Sequence, residues 1–506
     1  MNEAVKSGDA DALSPPASAA TAATRFWAAL CLAHMAAWVA AASWLEGSIR
    51  LDVAEGVIDG PHWQLSYLRH PPFSSWLTGL AAQAGPLRYT VVYAIGLTLS
   101  VGAFALLALF LRRTADGRAG AVAMLAGLAS PFTTYVPLQV NHNIGVMPFW
   151  TAAMAAAWMA FSRGLALDWA LLGLAVGLGL WAKYALLHLI APLALLFALD
   201  PATRRRALGA GPWLAAAIAA IVIAPHLADA LAKGATTLAF AARTLPASLP
   251  ERALWIGEFA ADCVAVQAAM ALLAFAASGA GALRAARDMA WGIRRADPFA
   301  RFLTVAAFGP VGVVLAAALA GVQAHYFWLT PFTLGFAAFW GVAAARGRTF
   351  DVGRLATAYA ALALIALAGY VGFREIAPHF AKRANYADMD GPALARSAEA
   401  YWAERHPGRV PFLVSLGLQH GFQAAGSIAF DLPYRVETLE EGDPANAAWF
   451  DVAALKRAGA LVVSSAPIPD GTLVLGAPVA NVERFARPML RGAAGEAVYF
   501  GEVAAR

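Results

Sequence analysis

The stretch LDVAEGVIDGPHWQLSYLRHPPFSSWL, residues 51–77, decides how the chain is read. It gathers Asp52, Glu55, Asp59, His62, Arg69 and His70, with a Pro71–Pro72 step and two tryptophans, Trp63 and Trp76. The 506-residue chain around it is 60% hydrophobic and only 14% charged, with a mean hydropathy of +0.59. That balance excludes an ordinary soluble protein. Apolar windows of roughly 18–24 residues recur up to about residue 370, long enough to cross about 30 Å of hydrocarbon. The stretch is therefore a loop between membrane spans, and it gathers six ionisable groups between two apolar runs.

The net charge of +5 is too small to imply a nucleic-acid partner and fits basic turns on one side of a bilayer. Cys31 and Cys263 both fall in apolar runs, so neither a disulfide framework nor a cysteine metal site is available. Residues 1–24 are polar and Ala/Ser-rich and lack the basic start of a signal peptide. They are expected to be a disordered cytoplasmic tail ahead of a retained first span.

Spans are expected near 26–44, 88–111, 120–137, 144–162, 168–181, 184–199, 211–230, 255–279, 302–321, 327–344 and 355–372, about eleven in all. Gly177, Gly179 and Lys183 mark a break that divides 168–199 into two short helices. Arginines cluster in five turns: Arg112, Arg113 and Arg118; Arg163; Arg204–Arg206; Arg284 to Arg301; and Arg346 to Arg354. The layout puts all five on one side, which the positive-inside rule makes cytoplasmic. The first loop, 45–87, and everything after residue 372 then face the other side.

The tail 373–506 loses the long apolar runs. Strand patterns at 410–417, 460–465, 471–476 and 496–503 alternate with helical pattern, as in GPALARSAEAYWAER at 391–405. A small extracytoplasmic α/β domain is expected. It carries no recognisable catalytic motif, and His420 reads as an exposed loop histidine. Covering the catalytic mouth and recruiting an acceptor are the roles open to it.

Polar groups interrupt the apolar pattern at the outer junctions. Asp52 and Glu55 follow the first span, and Arg69 and His70 close its loop. Asn141, His142 and Asn143 end the third span, Lys183 and Tyr184 sit between the fifth and sixth, and His325 and Tyr326 between the ninth and tenth. Each has a structural alternative: Lys183 snorkelling to headgroups, the aromatics forming an interfacial belt, Asn141, Asn143 and Asp52 capping helices. Their concurrence at one depth favours a site instead. It combines carboxylates able to act as a base with cations and donors suited to phosphate.

That combination fits transfer of a sugar from a lipid phosphate held in the bilayer. A carboxylate takes the acceptor's proton, and cationic side chains stabilise charge on the departing phosphate. No nucleotide-binding domain is needed, and no Walker A motif, dinucleotide fingerprint or H-E-x-x-H helix is present.

The stretch 51–77, with NHNIGVMPFW at 141–150, GLAVGLGLWAKYALL at 173–187 and HYFWLTP at 325–331, resembles the GT-C membrane glycosyltransferases that use polyprenyl-phosphate sugars. These include protein O-mannosyltransferases and bacterial lipid A aminoarabinose and lipopolysaccharide-core galacturonic acid transferases. The resemblance covers roughly residues 25–345. It implies a GT-C fold of about eleven transmembrane helices over 25–372, carried in a bacterial inner membrane, with the first loop and C-terminal domain periplasmic. It also implies inversion at the anomeric carbon, a polyprenyl-phosphate sugar donor and an envelope glycolipid or glycan acceptor.

By position the resemblance makes Asp52 the catalytic carboxylate, with Glu55 in reserve. Arg69, His70, Lys183, His325 and Tyr326 become contacts of the donor's lipid phosphate, and Asn141, His142, Asn143 and Tyr184 contacts of the sugar. Two departures stand out: Val53 follows Asp52 where many members have a second acid, and Asn143 stands where some have an acid. No metal ligand or cofactor is assigned, and a divalent metal has no support in the sequence. A transporter or flippase of lipid-linked sugars is the competing reading. The absence of repeated halves and the clustering at one face rather than mid-depth count against it.

Overall fold

The computed structural model describes residues 17–241, 247–292, 297–381, 388–417, 420–493 and 495–506. Its larger body is a bundle of apolar helices opening with α1 (Ala17–Leu45). Eight described helices are long and apolar enough to cross a membrane. Two bent pairs, Gly117–Leu128 with Pro131–Leu138 and Tyr184–Leu199 with Pro201–Ala207, and the shorter Ala166–Ala182 correspond to the other expected spans.

Differences from the expected boundaries have local causes. The tail expected over 1–24 is helical from Ala17, while residues 1–16 lie outside the described part. The span expected over 120–137 stops at Leu128 and bends by 85°. Pro131 and Pro137 lack the N–H that a continuing helix needs. The run 168–199 does break at Lys183, whose backbone is extended.

The arginine-bearing turns share one end of the bundle. Arg206 donates to the carbonyl of Phe161 at 2.6 Å, and Arg301 pairs with Asp200 at 2.8 Å. Arg346 pairs with Asp297 at 2.6 Å, and Arg118 lies over the Phe350 ring. Arg294 and Arg295 lie outside the described residues.

The first loop lies at the opposite end. It folds into α2 (Leu51–Asp59) and α3 (Phe73–Ala82), which cross at very short range. A Cβ on Gly79 would sit 2.7 Å from the backbone of Gly60, so neither strand of the crossing accepts a side chain there.

The C-terminal domain is a five-stranded mixed sheet with strands β1 (Phe412–Leu416), β2 (Thr438–Glu440), β3 (Ala460–Ser464), β4 (Ala480–Ala486) and β5 (Ala497–Val503) in the order β2-β1-β3-β5-β4. The first three strands are parallel and the last two antiparallel to their neighbours. Strands β2 and β4 have no clear sequence signal: β2 is three residues long, and β4 is almost wholly exposed. His420 opens helix α4 (His420–Asp431) instead of lying in a loop.

Helix α4 docks the domain on α2. A Cβ on Gly426 would meet Ala54 Cβ at 2.5 Å, so the two helices touch at backbone range. Gln423 donates to the Ile49 carbonyl at 3.1 Å, and the Gly391 N–H to the Gly47 carbonyl at 2.8 Å. Nearby, fully buried Arg374 pairs with Glu46 at 3.0 Å and Asp388 at 2.8 Å, joining the last span, the end of α1 and the domain. Substituting Gly426→Leu is expected to cost about 1–3 kcal/mol through overpacking. The check is limited proteolysis of the purified protein, which should free the C-terminal domain faster than in wild type.

Candidate active site

Asp52, Glu55 and Asp59 recur at helical spacing, so all three project from one face of α2. The N-cap of α2 is Arg50, with no side-chain cap, and Asp52 sits inside the first turn. The capping role open to Asp52 from sequence is not the one it has. Burial pushes its carboxyl above the usual range, and the Lys183 ammonium pulls it back. Lys183 does not simply snorkel: its Nζ donates to Asn143 Oδ1 at 2.6 Å.

The three residues of the NHN motif divide by function. Asn141 Oδ1 accepts from the backbone N–H groups of Asn143 at 2.9 Å and Ile144 at 3.0 Å. Its side-chain carbonyl is committed to a cap, the structural alternative open to it from sequence. Asn143 holds Lys183. His142 turns to the first loop, its ring centroid 4.0 Å from that of His70.

Ligand atoms of Glu55, His70 and His142 lie within 4.8 Å of one another. Glu55 is 4% exposed and His142 3%, and the buried Nδ1 of His142 has no hydrogen-bond partner among the described residues. Burial, then His142, Lys183 and Arg69, hold the His70 imidazole well below its ordinary pKa, so it is neutral. A carboxylate with imidazoles is a donor set that zinc accepts. The ligand assignment from sequence did not foresee it, because Glu55, His70 and His142 meet only through the fold.

Arg69 points elsewhere. Its guanidinium grips Glu440 at the end of β2 with both Nη atoms, Nη1 to Oε2 at 2.9 Å, and lies over the Phe422 ring. Asp59 and Glu55 border this pair. Burial raises both well above the carboxylate range; Glu440 adds to the rise in each, and Arg69 opposes it. Asp59 thus belongs to the buried cluster around Arg69. His62 is not free either: its Nε2 lies 2.9 Å from a Glu437 carboxylate oxygen, and its ring packs against Trp449.

The remaining expected contacts separate. Exposed His325 lies within electrostatic reach of Lys183. Tyr326 packs on Phe132 with centroids 5.3 Å apart, an aromatic-packing role. His226 donates through Nδ1 to the Leu65 carbonyl at 2.6 Å and accepts the Tyr184 hydroxyl at Nε2 at 2.5 Å. That ties Tyr184 to the first loop through His226. Glu440, Phe422 and Trp449 had no local motif to mark them. A cleft of about 360 Å³ lined by Ile58, His62, Arg88 and Tyr434 lies on the face of α2 away from the acids.

A family described as dolichyl-phosphate-mannose-protein mannosyltransferase matches residues 69–228. The lipopolysaccharide core galacturonosyltransferase RgtA of Rhizobium johnstonii is 30% identical over 198 residues, 36% of this chain and 37% of that protein's length. ArnT from Cupriavidus metallidurans in the apo state superposes with a TM-score of 0.62 at 13% identity, covering 96% of this chain and 98% of that one. The same protein bound to undecaprenyl phosphate gives 0.61 at 13% identity, covering 95% and 98%. The chain thus shares the ArnT fold along nearly its whole length, and its residues 69–228 match the mannosyltransferase family.

Proposed function

We propose that the chain transfers a sugar from a polyprenyl-phosphate donor to an envelope glycolipid or glycan at the outer face of a bacterial inner membrane. One observation carries the reading: Asp52, Lys183 and Asn143 gather beside Glu55, His70 and His142, with Arg69 next to them, from segments far apart in sequence. The arginine-bearing turns at the other end of the bundle support a cytoplasmic assignment for that end. The first loop and the C-terminal domain are then periplasmic.

In the proposed reaction the acceptor oxygen attacks the anomeric carbon as its proton passes to Asp52. The bond from that carbon to the phosphate oxygen breaks with inversion, and the lipid phosphate leaves with the electron pair. Partial burial suits Asp52 to this task, because a carboxyl raised above its usual range is a stronger base once ionised. Arg69 and His325 supply charge and hydrogen bonds to the departing phosphate, and Lys183 faces Asp52 and tunes the base. Asn143 keeps Lys183 in place, and Glu55 is the reserve carboxylate. Were a divalent ion bound, Glu55, His70 and His142 would hold it, and it would supply further positive charge near the leaving group.

Support for an envelope acceptor and a polyprenyl donor comes from the relatives: one is a lipopolysaccharide core galacturonosyltransferase, the other was crystallised with undecaprenyl phosphate. Mass spectrometry of envelope glycans from a deletion strain is expected to reveal one missing sugar, restored by the wild-type gene. Asp52→Asn is expected not to restore it, with transfer lowered by roughly 10²–10⁴ while undecaprenyl phosphate still binds. Full restoration by that variant removes Asp52 as the base.

A pH profile tests the neighbouring cation. Lys183→Met leaves burial of Asp52 unopposed, so its carboxyl is expected to titrate at higher pH. The acid limb of the rate profile should move upward with it, and an unmoved limb would separate Asp52 titration from Lys183.

A further inference from the structure

Arg69 reaches Glu440 across the junction between the first loop and the C-terminal domain. Both Nη atoms engage the two carboxylate oxygens, so the end of the guanidinium fork is filled. The Glu440 side chain is 9% exposed and that of Arg69 25%. Strand β2 is an edge strand, and Glu440 is its last residue. The chain reverses immediately after it, with Glu441 at φ 53° and Gly442 at φ 66°. The Asp443 N–H closes that turn on the Glu440 carbonyl at 3.1 Å, and the Glu441 N–H bonds Ser415 Oγ at 3.3 Å. The carboxylate is therefore presented by a fixed turn rather than by a flexible loop.

A carboxylate and a lipid phosphate offer the same fork two oxygens and one negative charge. Arg69 cannot grip both with its Nη pair. We propose that Glu440 is a positioning residue that competes with the donor's phosphate for Arg69, so donor entry displaces it and frees the β2 edge of the C-terminal domain. This rests on the reading of Arg69 as a donor-phosphate ligand. The domain stays attached during the exchange through contacts that do not involve Glu440: His62 with Glu437, and the docking of α4 on α2.

The test is binding of undecaprenyl phosphate to the full-length protein in detergent, for wild type, Glu440→Gln, Arg69→Ala and the double variant. Glu440→Gln is expected to bind on the order of tenfold tighter, Arg69→Ala at least tenfold weaker, and the double variant like Arg69→Ala alone. A residue that only supported the fold would not improve affinity when altered. Equal or weaker binding by Glu440→Gln, with Arg69→Ala still impaired, overturns the competition and leaves Arg69 as a phosphate ligand. Wild-type binding by Arg69→Ala instead removes the reading of Arg69 on which the proposal rests. Should Glu440→Gln fail to fold, hydrogen–deuterium exchange on the wild type decides. Exchange over residues 438–446 is expected to rise on adding undecaprenyl phosphate, and unchanged exchange overturns the proposal.

Discussion

Three carboxyl groups on one face of a nine-residue helix must be buried together, and the rest of the site is arranged around that constraint. Like charges withdrawn from water repel strongly, and each pays a desolvation cost as well. The fold meets this in two ways. Lys183 comes in from the break between two short spans to face Asp52, and Arg69 comes back from the end of the first loop to face Asp59 and Glu55. Burial and mutual repulsion raise Glu55 and Asp59 toward their neutral forms.

A helix as short as α2 is marginal by itself in water. It persists because it is clamped on several sides. Helix α3 crosses it so closely that Gly60 and Gly79 meet through backbone, and α4 of the C-terminal domain presses on it at Gly426. The buried Arg374, shared between Glu46 and Asp388, holds the end of α1 and the domain to the last span. Breaking one partner of such a buried pair leaves an uncompensated charge, so this junction resists partial opening. Through Glu440 and Phe422 the domain forms one wall of the site.

Hydropathy and arginine placement made the bundle and its two ends legible, because both follow from repeated local patterns. The break at Lys183 was readable from Gly177 and Gly179 beside a lone cation. The loop acids were readable as an anomaly of composition, and Asp52 as the position the family motif marks. What could not be read was which polar groups would meet. His142 and Asn143 are neighbours in sequence, yet one faces Glu55 and His70 and the other Lys183. Asn141 turned out to be a cap, and Tyr184 a partner of His226. Glu440 lies in a three-residue edge strand with no motif, and only tertiary packing brings it to Arg69.

The two cations mark opposite ends of α2. Asp52 and Asp59 are separated by about 10 Å along the helix at 1.5 Å per residue. On the proposed mechanism, an inverting displacement needs its base and its phosphate-stabilising cation on opposite sides of the anomeric carbon. Two hydrogen bonds and the partly formed and partly broken bonds between them span roughly 10 Å. The first turn of α2 therefore suits the acceptor's proton, and the last turn, where Arg69 waits, suits the departing phosphate. Glu55 lies between them and faces the two imidazoles. From there it is the reserve carboxylate, which makes the choice of base a matter of position along one short helix.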